Sequence, residues 1–241
     1  MTVDEIRSRM VARQLAARGI SDRRVLEAFR IVPRELFVEP ELADFAYDDR
    51  PLPIGEGQTI SQPYIVALTA EALRLQVTDR VLEIGTGSGY AAAILSRVAA
   101  EVFSVEWHEV LAAQARERLA KLGYRNVEIR RGDGTLGWTE HAPYDAIAVA
   151  AGGRQIPRAL LGQLRLGKRL VIPIGPDETS QVLVRVTYAG QDDFHRDSLG
   201  NVRFVPLIEN GESQVSPAVD SLARHHHLDG SRRRGRGTSA F

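Results

Sequence analysis

The fold of this chain is decided by the stretch Val81-Leu82-Glu83-Ile84-Gly85-Thr86-Gly87-Ser88-Gly89-Tyr90, an apolar run that ends in three alternating glycines. A turn from a strand into a helix needs glycine wherever a Cβ would collide with a ligand. The free N–H groups at the start of the helix then face that ligand. The stretch therefore predicts a cradle for a nucleotide or nucleoside.

The glycine spacing separates the ligand classes. The dinucleotide fingerprint Gly-x-Gly-x-x-Gly requires glycine at position 90, where this chain has Tyr90. A P-loop requires Gly-Lys-Ser/Thr at its end, and the turn lacks that sequence as well. The pattern Gly-x-Gly-x-Gly suits a phosphate-free nucleoside such as S-adenosylmethionine.

A carboxylate follows at the spacing expected for a ribose ligand. The next apolar run, Val102–Val105, is followed by Glu106, 21 residues after Gly85. A carboxylate at the tip of the second strand can accept hydrogen bonds from two vicinal ribose hydroxyls, and about 20 residues is the expected offset. Glycine-rich turns alone are common in loops. Together with the flanking strand, the helix and Glu106, they favour a nucleoside site.

Apolar and helical runs alternate on both sides of this turn. Helical spacing at residues 3–31 and 64–76 is separated by a long segment from Tyr47 to Pro63, predicted as a loop. Beyond it the pattern predicts strands at 80–84, 102–105, 127–130, 144–150 and 169–174, helices at 89–99, 109–122 and 157–164, and closing antiparallel strands at 182–186 and 202–205. This alternation is typical of a doubly wound, mainly parallel α/β sheet that binds ligands at the carboxyl ends of its strands.

Composition excludes several functions. The 241 residues include 31 basic and 31 acidic side chains, so the chain lacks the positive charge of a dedicated nucleic-acid binder. It contains no cysteine, which excludes disulfides and thiolate chemistry and fits a reducing compartment. The start is acidic without a long apolar core, and no segment approaches the ~18 apolar residues of a membrane span. We expect a soluble, cytoplasmic protein without a nucleic-acid or membrane partner.

Three regions are predicted. Residues 1–78 form a helical region with the loop, 79–210 the nucleoside-binding domain, and 211–241 a disordered basic tail rich in Ser, Gly, Arg and His. For the tail, solvated disorder is favoured over RNA contact. The run His225-His226-His227 has no carboxylates beside it, so we predict no metal site.

The loop and the domain together resemble the protein-L-isoaspartate O-methyltransferases. The most specific motif is Gln58-Thr59-Ile60-Ser61-Gln62-Pro63, whereas the glycine turn is shared by many methyltransferases. The resemblance extends over Val32–Val38, Tyr47, Pro51–Gly55, Val81–Tyr90, Gly132–Gly134, Ala142–Ile147, Gln163-Leu164, Leu170–Gly175 and Val202–Leu207. It implies a Rossmann-like class I S-adenosylmethionine-dependent methyltransferase sheet behind a helical N-terminal region.

The implied reaction transfers a methyl group from S-adenosylmethionine to the α-carboxylate of an L-isoaspartyl residue in a damaged protein or peptide. The ester cyclises to a succinimide, which reopens partly to normal aspartate. A carboxylate with an ordinary pKa near 4 is ionised at neutral pH, so no strong general base is needed. Rate is expected mostly from in-line positioning of the reactants, with desolvation of the carboxylate as a further contribution.

The resemblance assigns roles to individual residues. Ser61 matches the catalytic serine and is expected to orient the acceptor carboxylate; by itself, it could instead cap the helix that follows. Asp133 and Gly134 are expected at the adenine edge, although Asp133 could be an ordinary turn aspartate. The remaining cofactor residues are Glu83, Gly85, Thr86, Gly87, Ser88, Gly89 and Glu106. The candidate peptide-binding residues are Pro53, Ile54, Thr59, Ile60, Val205, Pro206 and Leu207.

The chain departs from the family pattern at two places within the domain. Lys168 stands where a glycine is common, and Gly152-Gly153-Arg154 replaces a stretch usually rich in alanine and proline, near the expected peptide site. A tailoring methyltransferase that esterifies aspartate in one dedicated peptide therefore stays an alternative. An RNA or small-molecule methyltransferase is disfavoured by the neutral charge and by the lack of an Asn-Pro-Pro-Tyr-like motif. A catalytically silent protein is disfavoured because Ser61, Gly85 and Glu106 are intact. We expect a monomer.

Overall fold

The computed structural model describes residues 1–209 and begins with the predicted helical region. Helix α1 (Val3–Met10) opens with a capping box in which Thr2 and Glu5 bond reciprocally. It continues through a π-helical turn (Val11–Leu15) and a 3₁₀ turn (Ala16–Arg18), which ends at Gly19. Helix α2 (Arg23–Ile31) is capped by the Asp22 carboxylate. Two 3₁₀ segments follow, Arg34–Phe37 and Pro40–Phe45.

The predicted long loop contains a β-hairpin. Strands β1 (Leu52–Gly55) and β2 (Gln58–Ile60) pair antiparallel, so the loop prediction was wrong for these residues. Side chains alternate along β1, with Leu52 and Ile54 buried and Pro53 exposed, as a half-buried strand requires. The turn at Glu56-Gly57 has positive φ at both residues, 52° and 68°, the geometry that closes a tight hairpin. Helix α3 (Pro63–Leu73) follows directly.

The remaining elements form the predicted doubly wound sheet with its layers of helices. In chain order they are β3 (Arg80–Ile84), α4 (Tyr90–Ser96), β4 (Glu101–Glu106), α5 (Glu109–Lys121), β5 (Val127–Arg131), β6 (Tyr144–Val149), α6 (Arg158–Gly162), β7 (Leu164–Ile174), β8 (Gln181–Gly190) and β9 (Asp193–Val202). The seven strands lie in the order β5-β4-β3-β6-β7-β8-β9. The first five of these are parallel, and β8 and β9 close the sheet antiparallel. The prediction of a mainly parallel α/β sheet is confirmed.

The last predicted strand was misplaced. The ladder ends at Val202, so the strand predicted at 202–205 is wrong, and β9 lies before it in the chain. At Phe204 the Gln181 side chain forms the hydrogen bonds that a neighbouring strand would otherwise form. Its Oε1 accepts from the Phe204 N–H at 2.7 Å, and its Nε2 donates to the Phe204 carbonyl at 3.2 Å. The pattern hid β9 because this edge strand is mostly exposed and polar.

The core is divided by the sheet. One face packs against α3, α4 and α5, with α2 packed outside α3 and α4. The other face carries an aromatic cluster that includes Phe103 of β4, Tyr144 of β6 and Trp138. Strand order reverses between β3 and β6, and such a switch point opens a crevice at the carboxyl ends of the strands. No helix within residues 1–209 is both long and apolar enough to cross a membrane. The predicted boundaries at residues 78 and 210 stay predictions, and the predicted tail, with its three histidines, lies outside the described residues.

Candidate active site

A cavity opens at this switch point, between the hairpin, the glycine turn and the segment after β9. It collects most of the residues that the sequence predicted for the site. Those lining it are Thr59, Ile60, Ser61, Gly85, Thr86, Gly87, Ser88, Glu106, Gly134, Val205, Pro206 and Leu207. Glu83 lines a smaller adjoining cavity, and Pro53, Ile54, Gly89 and Asp133 line neither.

The glycine turn brings backbone to the cavity wall. Gly85, Gly87 and Gly89 all have left-handed φ, of 92°, 52° and 88°. An L side chain rarely adopts these angles, which explains the alternation of glycines. A Cβ at Gly87 would also lie 3.0 Å from the side chain of Ile54, so the hairpin packs directly on the turn.

Glu106 ends β4 with a buried carboxylate that has spare acceptor capacity. Its Oε2 accepts from the N–H of Gly87 at 2.8 Å, and its Oε1 accepts from the N–H of His108 at 2.9 Å. Each carboxylate oxygen has about two lone-pair sites, so one site on each oxygen remains. The two remaining sites suit two adjacent hydroxyls.

Glu83 lies on β3, the strand next to the one that carries Glu106, and is fully buried. Its Oε2 accepts from the Ser104 hydroxyl at 2.5 Å, and Ser104 is in turn 2.5 Å from the Thr86 hydroxyl. Its Oε1 has no hydrogen-bond partner among the described residues. Burial raises the pKa of this carboxyl to about 8, against the opposing effect of the Ser104 hydrogen bond. Glu83, which carries this unpaired Oε1, lines the smaller cavity together with Ser61.

Ser61 lies between β2 and α3 and lines both cavities. Its suggested alternative role as a helix cap is wrong, because the N-cap position of α3 is Gln62. The Asp49 carboxylate satisfies this helix end instead, by accepting from the Tyr64 N–H at 3.0 Å. Within residues 1–209 the Ser61 hydroxyl forms no hydrogen bond to another residue, so it is available to a ligand.

The turn after β5 contributes its glycine to the cavity. A Cβ at Gly134 would lie 2.2 Å from the Ile84 side chain, so only glycine fits beside the end of β3. Asp133 caps the short turn that follows, accepting from the N–H of Thr135 at 2.8 Å and from its hydroxyl at 2.6 Å. This contact supports the turn role that the sequence left open.

Comparison with known proteins agrees with this geometry. The family of protein-L-isoaspartate(D-aspartate) O-methyltransferases matches residues 6–212. This chain belongs to that family. Its sequence is 59% identical over 199 residues to protein-L-isoaspartate O-methyltransferase 2 of Pelobacter propionicus, covering 83% of this chain and 88% of the relative. It is 56% identical over 210 residues to the protein-L-isoaspartate O-methyltransferase of Rhodopseudomonas palustris, covering 87% of this chain and 96% of the relative.

Solved structures of the family confirm the fold class. A protein-L-isoaspartate O-methyltransferase superposes with a TM-score of 0.76 at 32% identity, covering 85% of this chain and 66% of that one. A Plasmodium falciparum structure assigned to this family superposes with a TM-score of 0.71 at 26% identity, covering 85% and 99%; it is in complex with S-adenosyl-L-homocysteine. The Rossmann-like methyltransferase sheet that the family resemblance implied is therefore confirmed.

Several cavity residues escaped the sequence reasoning. They are Gln58, Val66, Ile84, Tyr90, Ala91, Val105, Trp107, His108, Ala150, Ala151 and Ile208. Trp107 and His108 directly follow Glu106, so proximity to a predicted ligand was the available signal. Ala150 and Ala151 follow the buried strand β6, whose carboxyl end was predicted to face the ligand. Among residues 1–209, His, Cys, Asp and Glu form no group of three or more that could hold a metal ion.

Lys168 and Gly152, two residues at which the chain departs from the family pattern, both form defined contacts in the structure. Lys168 Nζ lies 2.7 Å from Asp79 and 3.2 Å from Asp145, both buried carboxylates. These hydrogen bonds and charges raise the pKa of Lys168, outweighing the opposing effect of burial. Gly152 exchanges backbone hydrogen bonds with Val205 and Leu207, at 2.8 Å each, and thereby holds the last segment at the cavity rim.

Proposed function

We propose that this chain carries out the reaction of its family, transfer of a methyl group from S-adenosyl-L-methionine to the α-carboxylate of L-isoaspartyl residues, with Ser61 orienting that carboxylate. The observation that carries the proposal is the unpaired Ser61 hydroxyl between the two cavities. A hydroxyl without a protein partner can donate to an incoming carboxylate oxygen.

The cavity fits the cofactor through its unsatisfied acceptors. Glu106 offers its two remaining lone-pair sites to the ribose hydroxyls, and Glu83 offers its free Oε1 to the ammonium group of the methionine portion. Gly85, Gly87 and Gly89 carry no side chain that would occupy the cofactor's space along the turn. When bound, S-adenosylmethionine supplies an electrophilic methyl group on a positively charged sulfur. Proton removal by Ser61 is not required, because the acceptor carboxylate is already ionised.

We propose that the peptide enters between the hairpin and residues 205–207, the segment after β9 that is named here the rim segment. Thr59 and Ile60 of the hairpin line the cavity, and so do Val205, Pro206 and Leu207 of the rim segment. Ile54 supports this site from behind, through its contact with the glycine turn. Pro53 projects to the exposed face of the hairpin, so its predicted contact with peptide has no support from the cavity lining.

The test measures methyl transfer from labelled S-adenosylmethionine to a synthetic L-isoaspartyl peptide, beside the same peptide with normal aspartate. We expect transfer selective for the isoaspartyl peptide. Ser61→Ala should lower kcat by about 10- to 100-fold, the cost of one positioning hydrogen bond to a charged group. The cofactor dissociation constant should stay within about twofold of the wild-type value, which separates positioning from cofactor binding.

The matched control is Ser198→Ala, which removes an exposed hydroxyl from β9 and should leave both quantities unchanged. Cofactor binding without methylation of either peptide would contradict general repair and redirect the search to a dedicated peptide. Equal activity of wild type and Ser61→Ala would remove Ser61 from the mechanism while leaving the reaction itself in place.

We further propose that the protein acts as a cytoplasmic monomer without a nucleic-acid partner. The balanced charge and the absence of cysteine support this proposal. Light scattering on the purified chain tests the monomer, and a dimer mass would contradict it. Cell fractionation and an RNA-binding assay at physiological salt test the other two expectations.

A further inference from the structure

A second groove lies at the opposite end of α3 from the candidate active site. Its walls are the start of α2, the last turns of α3 and the strands β8 and β9. Its volume of about 560 Å³ is within the range of small-molecule sites. Ser61 precedes α3 and Arg74 follows it, and a helix of 11 residues spans about 16 Å. The groove is therefore separate from the cavity described above.

Arg74 lines this groove in an unusual backbone conformation. It is the C-cap residue of α3 and has a left-handed φ of 51°. Glycine adopts this conformation without strain and is the usual residue at the end of a helix that closes in this way. Within residues 1–209 the Arg74 guanidinium forms no hydrogen bond or ion pair. Its charge is therefore available to a ligand.

Arg169 and Arg185 add two further guanidinium groups beside Arg74. Arg185 pairs with Val171 across the β7–β8 ladder, and Val171 is two residues from Arg169, so both arginines lie on the same face of the sheet. Burial lowers the pKa of Arg169, and the charges of Arg74 and Arg185 lower it further. In the part of the chain that the structure describes, the Arg169 side chain forms no hydrogen bond or ion pair. The three cations are thus close enough to repel one another.

The carboxylates around the groove already have partners. Glu71 Oε1 accepts from two backbone N–H groups at the start of α2, and the N-cap aspartate of α2 accepts from two N–H groups of that helix. Asp197 is paired with Arg185 at 2.8 Å. Asp79, whose charge opposes the pKa shift of the neighbouring arginine, is itself paired with Lys168. The two unpaired guanidiniums have no carboxylate of their own.

The chemistry of this cluster suits a phosphate group. A guanidinium presents its N–H donors in a planar fork that matches two oxygens of one phosphate. Several such groups in one place favour a ligand with two negative charges and three acceptor oxygens, as a phosphate monoester has. The groove is also lined by Leu68 and Leu199, which offer apolar contacts to the organic part of such an ester.

We propose that Arg74, Arg169 and Arg185 bind the phosphate group of a small phosphate monoester. The organic part of the ester lies against Leu68 and Leu199. This site is additional to the methyl-transfer site and does not depend on the proposed function.

The experiment compares two aromatic anions by isothermal titration calorimetry at pH 8 and constant ionic strength. Phenyl phosphate is doubly charged at this pH, whereas benzenesulfonate has the same ring and a single charge. We expect the wild type to bind phenyl phosphate with a dissociation constant below about 1 mM, and benzenesulfonate at least about tenfold more weakly. Equal affinity for the two anions would overturn the assignment to a phosphate group.

Two variants locate the binding in the groove. Arg74→Gly removes one guanidinium and places the favoured residue at the left-handed position, so the fold should be retained. Arg169→Gln removes another. Each should weaken phenyl phosphate binding at least about tenfold. The matched control is Arg125→Gln, which removes an exposed arginine just before β5, at the other edge of the sheet, and should change the affinity by less than about twofold.

Three results would contradict the inference. They are a wild type that does not bind phenyl phosphate at about ten times the expected dissociation constant, an unchanged affinity in Arg74→Gly, and an equal loss in Arg125→Gln. Should Arg169→Gln fail to fold, Arg74→Gly still decides, because glycine suits its backbone. Methyl transfer is not measured in this test, so its outcome and that of the proposed function are independent.

Discussion

The backbone N–H of Gly87 donates to the Glu106 carboxylate at 2.8 Å, which fixes the glycine turn to the end of β4. The bond joins the two features that the sequence singled out separately. It also leaves the carboxylate partly unsatisfied and facing the cavity, so one side chain both orders the turn and offers acceptors to the ligand.

Replacing Glu106 should therefore weaken cofactor binding. Glu106→Gln leaves one acceptor oxygen, and its NH₂ group must face either the Gly87 or the His108 N–H. We expect the dissociation constant for S-adenosyl-L-homocysteine to rise about 10- to 100-fold, measured by calorimetry. Glu101→Gln, at the exposed start of the same strand, should leave it unchanged. A change of less than twofold in Glu106→Gln would show that the carboxylate does not bind the ligand.

Glu83 should make stability depend on pH. Burial raises its pKa from 4.5 to about 8, so between these values the unfolded chain ionises while the folded chain keeps its proton. The unfolded state then binds fewer protons, and the free energy of unfolding falls as pH rises through this window. The wild type should lose up to about 1.4 kcal/mol per pH unit relative to Glu83→Gln. Urea unfolding of both proteins from pH 5 to pH 9 measures this difference, and parallel curves would refute the raised pKa.

Lys168 should stabilise the fold through two buried carboxylates. Lys168→Met leaves Asp79 without its lysine and weakens the neutralisation of Asp145, which keeps Arg165. We expect a loss of about 1–3 kcal/mol in the free energy of unfolding, measured by urea denaturation. Lys121→Met removes a surface pair with Glu117 and should have no measurable effect. Equal stability of the two variants would mean that the Lys168 pairs contribute nothing net.

Gly152 should control peptide binding without affecting the cofactor. A Cβ there would lie 2.1 Å from Nε2 of Gln181, whose amide is fixed by both backbone groups of Phe204. Gly152→Ala should displace the rim segment and raise KM for the isoaspartyl peptide about tenfold, with the cofactor dissociation constant within about twofold. Gly162→Ala is the control, since its added Cβ meets nothing within 4 Å. Parallel losses of peptide and cofactor affinity would indicate general disruption.

The sequence by itself determined the sheet and the cofactor cradle. Local sequence patterns predict both features. Glycine at every second position and a carboxylate at the end of the next strand predict the cradle, and the alternation of buried strands with helices predicts the sheet. Such patterns depend only on residues that are close together in the sequence, so they can be recognised without knowledge of the tertiary structure. The prediction of a strand at 202–205 was wrong because the Gln181 side chain, and not a neighbouring strand, forms the hydrogen bonds to the backbone of Phe204.

Only the tertiary structure decided which polar atoms remain unsatisfied. The family resemblance indicated a role for Glu83, but packing left its Oε1 free. Packing also brought Glu56 to His108 across about 50 residues of chain. Likewise, Asp49 and not Ser61 completes the start of α3. Periodicity carries no information about which distant segments meet, because that is settled by the simultaneous burial of apolar faces and the pairing of the polar groups caught between them.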